Sequence, residues 1–215
     1  MYPIMLVLAL GLSIAIERFL FLGRTRRKGN KTWGAVRPLF ESGDFHQAET
    51  ILAESSDAVG HILSQGLERM KTGRRRDDLG NAVEEGMMEV VPRLEKRTHY
   101  LATFANIATL LGLLGTIIGL ISAFTAVANA NPAEKANLLS ASISVAMNTT
   151  AFGLIVAIPL MLLHAWLQTK TSELIEMLET VAVKFSNLAV NARNGKDKRA
   201  MKPVDRTMNP RGAAA

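Results

Sequence analysis

The sequence predicts an all-α integral membrane protein, with three transmembrane helices and long helical extensions on the cytoplasmic side. Three observations predict it. Apolar residues make up 48% of the 215 and gather in three runs, whereas 25 basic and 19 acidic side chains fall between the runs. Each run holds about 20 residues or more, which at roughly 1.5 Å per helical residue covers a hydrocarbon core. Lysine and arginine are also divided unevenly among the intervening segments, and that asymmetry gives an orientation.

The first span is expected at residues 1–23, ending in Glu17-Arg18-Phe19-Leu20-Phe21-Leu22. A secretory signal peptide carries its positive charge before the apolar stretch. Here Arg24, Arg26, Arg27, Lys28 and Lys31 follow it, so the helix is expected to stay in the membrane with its N-terminus outside. A cytoplasmic helical region follows at 24–98 and the second span at 99–128. A short periplasmic loop at 129–139 carries the turn pair Asn131-Pro132, and the third span runs over 140–166. Residues 24–99 hold 14 Lys and Arg, the chain from 167 onward holds 9, and the loop holds only Lys135. By the positive-inside rule the N-terminus is periplasmic and the C-terminus cytoplasmic.

Between the first two spans, Gly43 suits the left-handed residue that ends a helix. Asp44 can cap the next helix, and Gln47 stands where a capping box needs it. A structural helical hairpin is preferred here over a binding site. Val83, Met87, Val90 and Leu94 step by three and four, with Leu101 continuing the stripe, and Pro92 is expected to kink this segment or start a new helix. Residues 167–193 repeat the spacing in Leu167, Thr171, Leu174, Leu178, Val181, Phe185 and Leu188, an amphipathic helix with a packing seam. Residues 194–215, with Gly195, Pro203, Pro210 and several Lys and Arg, read as a disordered basic tail.

Composition excludes several kinds of function. With no cysteine there is no disulfide, thiolate metal site or cysteine nucleophile, and His46, His61, His99 and His164 show no ligand spacing. No enzyme, no metal site and no cofactor are expected. The net charge of +6 sits beside the apolar runs without interleaved aromatics. That pattern suits a lipid bilayer surface and not nucleic acid.

The second and third spans each carry a stripe of small and hydroxyl residues. Thr109, Gly112, Thr116, Gly119 and Ala123 fall on one face of the second. Ser142, Ala146, Thr149 or Thr150, Gly153 and Ala157 fall on one face of the third, with Asn148 beside them. Small residues let membrane helices approach closely, and threonine can bond its own backbone, so packing is one reading. The other is a narrow wet path in which hydroxyls solvate a passing cation. Two stripes in adjacent spans, with Asn148 at membrane depth, favour the path. Neither span holds Asp, Glu, Lys or Arg between Leu101 and Leu163, so a titratable carboxylate must come from another chain. Glu17 and Arg18 read as a membrane-interface charge pair, anchoring a helix end or pairing across helices.

The segments Leu111-Gly112-Leu113-Leu114-Gly115-Thr116-Ile117-Ile118-Gly119 and Asn148-Thr149-Thr150-Ala151-Phe152-Gly153-Leu154, the latter running on to Pro159, resemble the ExbB/TolQ/MotA proton-channel family. Glu17-Arg18-Phe19 and the three-span order resemble its ExbB/TolQ-like branch. The resemblance implies a homo-oligomeric ring, typically a pentamer, in the bacterial inner membrane. The ring would surround a dimer of ExbD/TolR-like single-span proteins whose aspartate carries the ion. It implies that Thr116 and Thr150 face that aspartate. The output would be mechanical work on periplasmic or outer-membrane machinery, as in Ton- or Tol-type transport or gliding motility. Members of this branch often carry a glutamate where Val145 stands, and proton-using relatives often carry alanine where Thr149 stands. Protons are the preferred ion and sodium the second candidate. A non-conducting membrane scaffold for a single-span partner is the competing reading. The large loop and extra span of the MotA branch are absent from the pattern.

Overall fold

The computed structural model describes residues 2–72, 76–128 and 130–200. They form six helices and, among the described residues, no strand: α1 (Tyr2–Ser42), α2 (Phe45–Glu54), α3 (Ala58–Thr72), α4 (Arg76–Glu95), α5 (Thr98–Ala128) and α6 (Lys135–Ala200). Three stretches are long and apolar enough to cross a membrane, within α1, within the stretch from Leu79 through α5, and within α6. The all-α, three-span class expected from the sequence is therefore the one observed. The chain divides into two compact units, residues 1–30 with 87–179, and residues 31–86 with 180–215.

The element boundaries differ from the sequence expectation in three places. No break falls at residue 23, because α1 runs unbroken through the basic cluster to Ser42. The third span and the amphipathic segment after it are likewise one helix, α6, which starts inside the expected loop at Lys135 and continues past Asn194 to Ala200. Lysine, arginine and alanine are good helix formers, and a single Gly195 costs only about 1 kcal/mol against alanine. The remainder of the expected tail, 201–215, and the loop residue 129 lie outside the described residues. Third, α4 does not end at Pro92. It runs on to Glu95, and the break comes at Arg97, whose φ is +72°.

The unit formed by residues 1–30 and 87–179 is built on close approach of α1, α5 and α6. Ile4 and Val7 of α1, Ala105 and Ala108 of α5, and Val156, Ala157 and Leu160 of α6 make one buried cluster. Gly11 admits Leu160, whose Cδ2 would stand 2.7 Å from any Cβ added there. Toward the other end of the spans Phe19 stacks on Trp166 at 5.5 Å between ring centroids. The seam of α6 continues through buried Leu167, Thr171, Leu174 and Leu178.

In the unit formed by 31–86 and 180–215, α1 ends as a Schellman motif. The Gly43 N–H (φ +80°) donates to the Phe40 carbonyl and the Asp44 N–H to the Leu39 carbonyl at 2.9 Å. The Asp44 carboxylate then caps α2 by accepting from the Gln47 N–H at 3.2 Å. Because the Asp44 N–H is already bonded to Leu39, only this half of the expected capping box forms. Val36, Phe40, Leu52, Ile62, Leu63 and Phe185 are fully buried, with Phe40 and Phe185 4.9 Å apart. Gly66 lets Phe185 approach, since its Cε1 would lie 2.6 Å from an added Cβ.

Candidate functional site

The paired spans α5 and α6 meet backbone to backbone. A Cβ added at Gly112 would lie 3.2 Å from the Gly153 Cα and 3.3 Å from the Thr149 carbonyl oxygen. One at Gly153 would lie 2.8 Å from the Ala108 carbonyl oxygen and 2.9 Å from the Gly112 Cα. Gly119 sits over Ala146 at 2.6 Å by the same measure, and Gly115 over the Thr149 side chain at 2.7 Å. Small residues permit this spacing, and contact at that range supplies the dispersion attraction that holds helices together in lipid.

The geometry divides each expected stripe into a centre and an edge. On α5, Ala105, Ala108, Gly112 and Ala123 are buried, and Gly119 is half-buried against Ala146. At roughly 100° per residue, Thr116 lies about 40° and Thr109 about 60° round the helix from Gly112, toward one side of the seam. Thr116 is accordingly half-buried and Thr109 exposed. On α6, Ala146, Gly153 and Ala157 are buried, Ser142, Thr149 and Thr150 are half-buried, and Asn148 is exposed on the same side as Val145. The residues expected on single faces are thus a packed centre of small side chains flanked by hydroxyls.

Each of the three central hydroxyls donates its proton to a backbone carbonyl. Thr116 bonds its own Leu113 oxygen at 2.6 Å, and Thr149 bonds the Ala146 oxygen at 2.6 Å. Thr150 crosses the seam to the Gly112 oxygen at 3.0 Å. Thr109 bonds the Ala105 oxygen at 3.1 Å. A hydroxyl whose hydrogen is engaged in this way still offers lone pairs. It can accept from a protonated carboxyl or coordinate a cation. To meet an ionised carboxylate it must first turn its hydrogen away from the carbonyl.

Glu17 and Arg18 pair across helices. Arg18, only 3% exposed, donates from Nη2 to the Leu94 carbonyl, and Glu17 accepts from Arg97. Leu94 is the residue whose carbonyl the Thr98 N–H would take in an unbroken helix. The turn at Arg97 interrupts that ladder, and a guanidinium from α1 bonds the carbonyl at the break. The Arg18 guanidinium also lies 5.0 Å from the Phe21 ring centroid.

Sequence spacing did not reveal one neighbourhood. His99 at the start of α5 and His164 of α6 lie 6.3 Å apart between ring centroids, near one end of the paired spans. They are 65 residues apart, and no motif joins them. The nearest signal was that both lie at the ends of runs otherwise free of ionisable groups. No group of three or more His, Asp or Glu that could hold a metal ion occurs among the described residues.

Three apolar spans, two of them joined through a glycine seam edged with hydroxyls, define a multi-span helical membrane protein. A family model described as the MotA/TolQ/ExbB proton channel family matches residues 54–180. A biopolymer transport protein ExbB homologue of Methanothermobacter thermautotrophicus is 30% identical over 174 residues, covering 80% of this chain and 60% of the relative. Biopolymer transport protein exbB1 of Vibrio cholerae is 37% identical over 90 residues, covering 40% of each. Biopolymer transport protein ExbB of Aquifex aeolicus is 32% identical over 111 residues, covering 52% of this chain and 72% of the relative. The chain belongs to the MotA/TolQ/ExbB proton channel family, as its two span motifs led one to expect. It spans 60% and 40% of the length of the first two of these relatives.

Proposed function

We propose that this chain is the ring-forming subunit of an ion-driven motor of the bacterial inner membrane, with its N-terminus periplasmic and its C-terminus cytoplasmic. Several copies, a pentamer in this reading, surround a dimer of ExbD/TolR-like single-span partners. Proton flow past the ring is coupled to work on periplasmic or outer-membrane machinery. The observation that carries the reading is that Thr116, Thr149 and Thr150 flank the α5–α6 seam with oxygens that have lone pairs to offer, in spans that contain no Asp, Glu, Lys or Arg. Such hydroxyls can receive a partner's carboxylic acid but cannot supply one. The protonated acid donates to a threonine oxygen, and loss of its proton forces the hydroxyls to turn. Proton occupancy is thereby linked to a local rearrangement. Moving one charge through 100 mV releases about 2.3 kcal/mol, so a few ions suffice for a step of several kcal/mol.

The exposed apolar side chains of α5, among them Leu110, Leu113, Ile117, Ile118, Ile121 and Phe124, support burial against lipid or further chains. That the relatives are named biopolymer transport protein ExbB supports a Ton-type task, and Tol-type work and gliding are the other candidates. Sodium is the alternative ion, because Thr149 adds an oxygen beside Thr150.

The test is ion flux in dye-loaded proteoliposomes containing the chain co-purified with its single-span partner. The double variant Thr116→Val/Thr150→Val should lose most of the flux while still capturing the partner, and Thr150→Ser should retain it. Undiminished flux in the double variant would discard the path. One observation favours a second reading, a non-conducting scaffold: the Thr150 hydroxyl ties α6 to the Gly112 carbonyl. Under that reading Gly112→Leu abolishes function and Thr150→Val does not.

A further inference from the structure

The α1–α6 surface near the end of the first span carries a groove with two chemically distinct halves. One half, about 300 Å³, is lined by Phe19, Leu22, Trp166 and Leu167 below and by Arg24, Arg26, Arg27 and Lys170 above. The other, about 410 Å³, is lined wholly by nonpolar side chains, including Leu12, Ile16 and Leu163. Phe19, Leu20, Trp166 and Leu167 border both halves, so the two adjoin. The stacked Phe19 and Trp166 rings mark the junction, at the level where tryptophan prefers to sit, between hydrocarbon and water.

The cations are not equivalent. Arg26 and Lys170 share one carboxylate, Glu173, at 2.9 and 2.7 Å. Arg24 and Arg27 have no carboxylate partner among the described residues and stand exposed on the rim. One end of the groove therefore presents uncompensated positive charge, and the other runs down the apolar face of two membrane helices. A water-soluble anion satisfies only the first half, and a hydrocarbon only the second.

We propose that the groove seats one anionic phospholipid. Its phosphate is held by Arg24 and Arg27, its glycerol lies at the Phe19–Trp166 step, and an acyl chain lies along Leu12, Ile16 and Leu163. Basic side chains beside a membrane helix attract anionic lipid through the same charge complementarity. The site stands apart from the threonines of the α5–α6 seam and does not depend on the motor reading.

The chain has two tryptophans, so Trp33→Phe leaves Trp166 as the sole emitter. The full-length Trp33→Phe protein is reconstituted in phosphatidylcholine vesicles carrying a minor fraction of brominated phosphatidylglycerol. A second sample carries the same fraction of brominated phosphatidylcholine. Quenching of Trp166 should show about a fivefold or greater preference for phosphatidylglycerol, the size expected of roughly one well-placed cation at a membrane surface. Arg24→Gln/Arg27→Gln should bring that preference near unity with helix content unchanged, and Arg24→Lys/Arg27→Lys should keep it. Added inorganic phosphate should leave the quenching as it was. Equal quenching by the two lipids would overturn the proposal, as would a preference that survives Arg24→Gln/Arg27→Gln. So would relief of quenching by phosphate, or the absence of quenching by either lipid, which would mean that another protein chain fills the groove.

Discussion

Replacing Gly153 with alanine should weaken the α5–α6 seam even though alanine is the better helix former. The added Cβ would stand 2.8 Å from the Ala108 carbonyl oxygen and 2.9 Å from the Gly112 Cα, where ordinary contact begins near 3.4 Å. Both neighbours are backbone atoms, so no side-chain rotation relieves the overlap, and the helices must part by about 0.6 Å. A gap of that size forfeits roughly a quarter to a half of each nearby contact, and overpacking of this kind costs about 1–3 kcal/mol. It also stretches the Thr150–Gly112 hydrogen bond beyond its 3.0 Å. Such interhelical bonds contribute about 0.6 kcal/mol on average in membranes. Alanine returns up to about 1 kcal/mol of helix propensity, leaving a net loss of about 1–3 kcal/mol. Gly23→Ala is the control, since nothing lies within 4 Å of a Cβ built there. Reversible unfolding in mixed micelles titrated with sodium dodecyl sulfate measures both. If Gly153→Ala is as stable as Gly23→Ala, the backbone seam is not what holds these helices together.

Other expectations follow from the helix break and from the helices of the unit formed by 31–86 and 180–215. Arg18→Met leaves the Leu94 carbonyl without its donor and should cost about 2–3 kcal/mol in the same unfolding assay. Stability equal to the parent would remove the role assigned to the guanidinium. Arg97→Gly and Arg97→Ala both lose the exposed pair with Glu17, but only glycine relieves the φ of +72°. The glycine variant should therefore be the more stable by about 1 kcal/mol. The hydrogen bond from Lys71 holds the Glu49 carboxyl below the usual carboxylate range. A depressed folded value means the pairing stabilises above the unfolded carboxylate pKa and is lost as pH falls through the folded one. Amide exchange in α2 should accelerate over that acidic window, and Glu49→Gln should flatten the response.

Much of the membrane part was legible because helical periodicity needs only residue size and polarity. Gly112, Gly119, Ala146, Gly153 and Ala157 recur at three- and four-residue steps, and the first four form the contact between α5 and α6. A wheel of that kind locates a stripe but not its middle. Whether Thr116 points into the seam or along its edge depends on the partner helix, and that is a tertiary fact. The helix end at Gly43 could be read from composition, but the fate of the Asp44 N–H could not, because two acceptable hydrogen bonds competed for one donor. The break at Arg97 left no trace at all. Arginine in the left-handed region has no composition cue, and the proline that draws attention, Pro92, sits inside an intact helix. His99 and His164 meet only because two spans pack in antiparallel register, a pairing that separation along the chain conceals.

The bond between Arg18 and Leu94 has a consequence in time as well as in space. The first span is synthesised before the residues that complete it, and 76 positions of chain separate the guanidinium from its acceptor. Until Leu94 arrives, a buried arginine has no carbonyl to meet, and leaving a charge unpaired in hydrocarbon is expensive. The bond therefore closes a long loop of chain, and it forms only after α4 and the turn at Arg97 have been made.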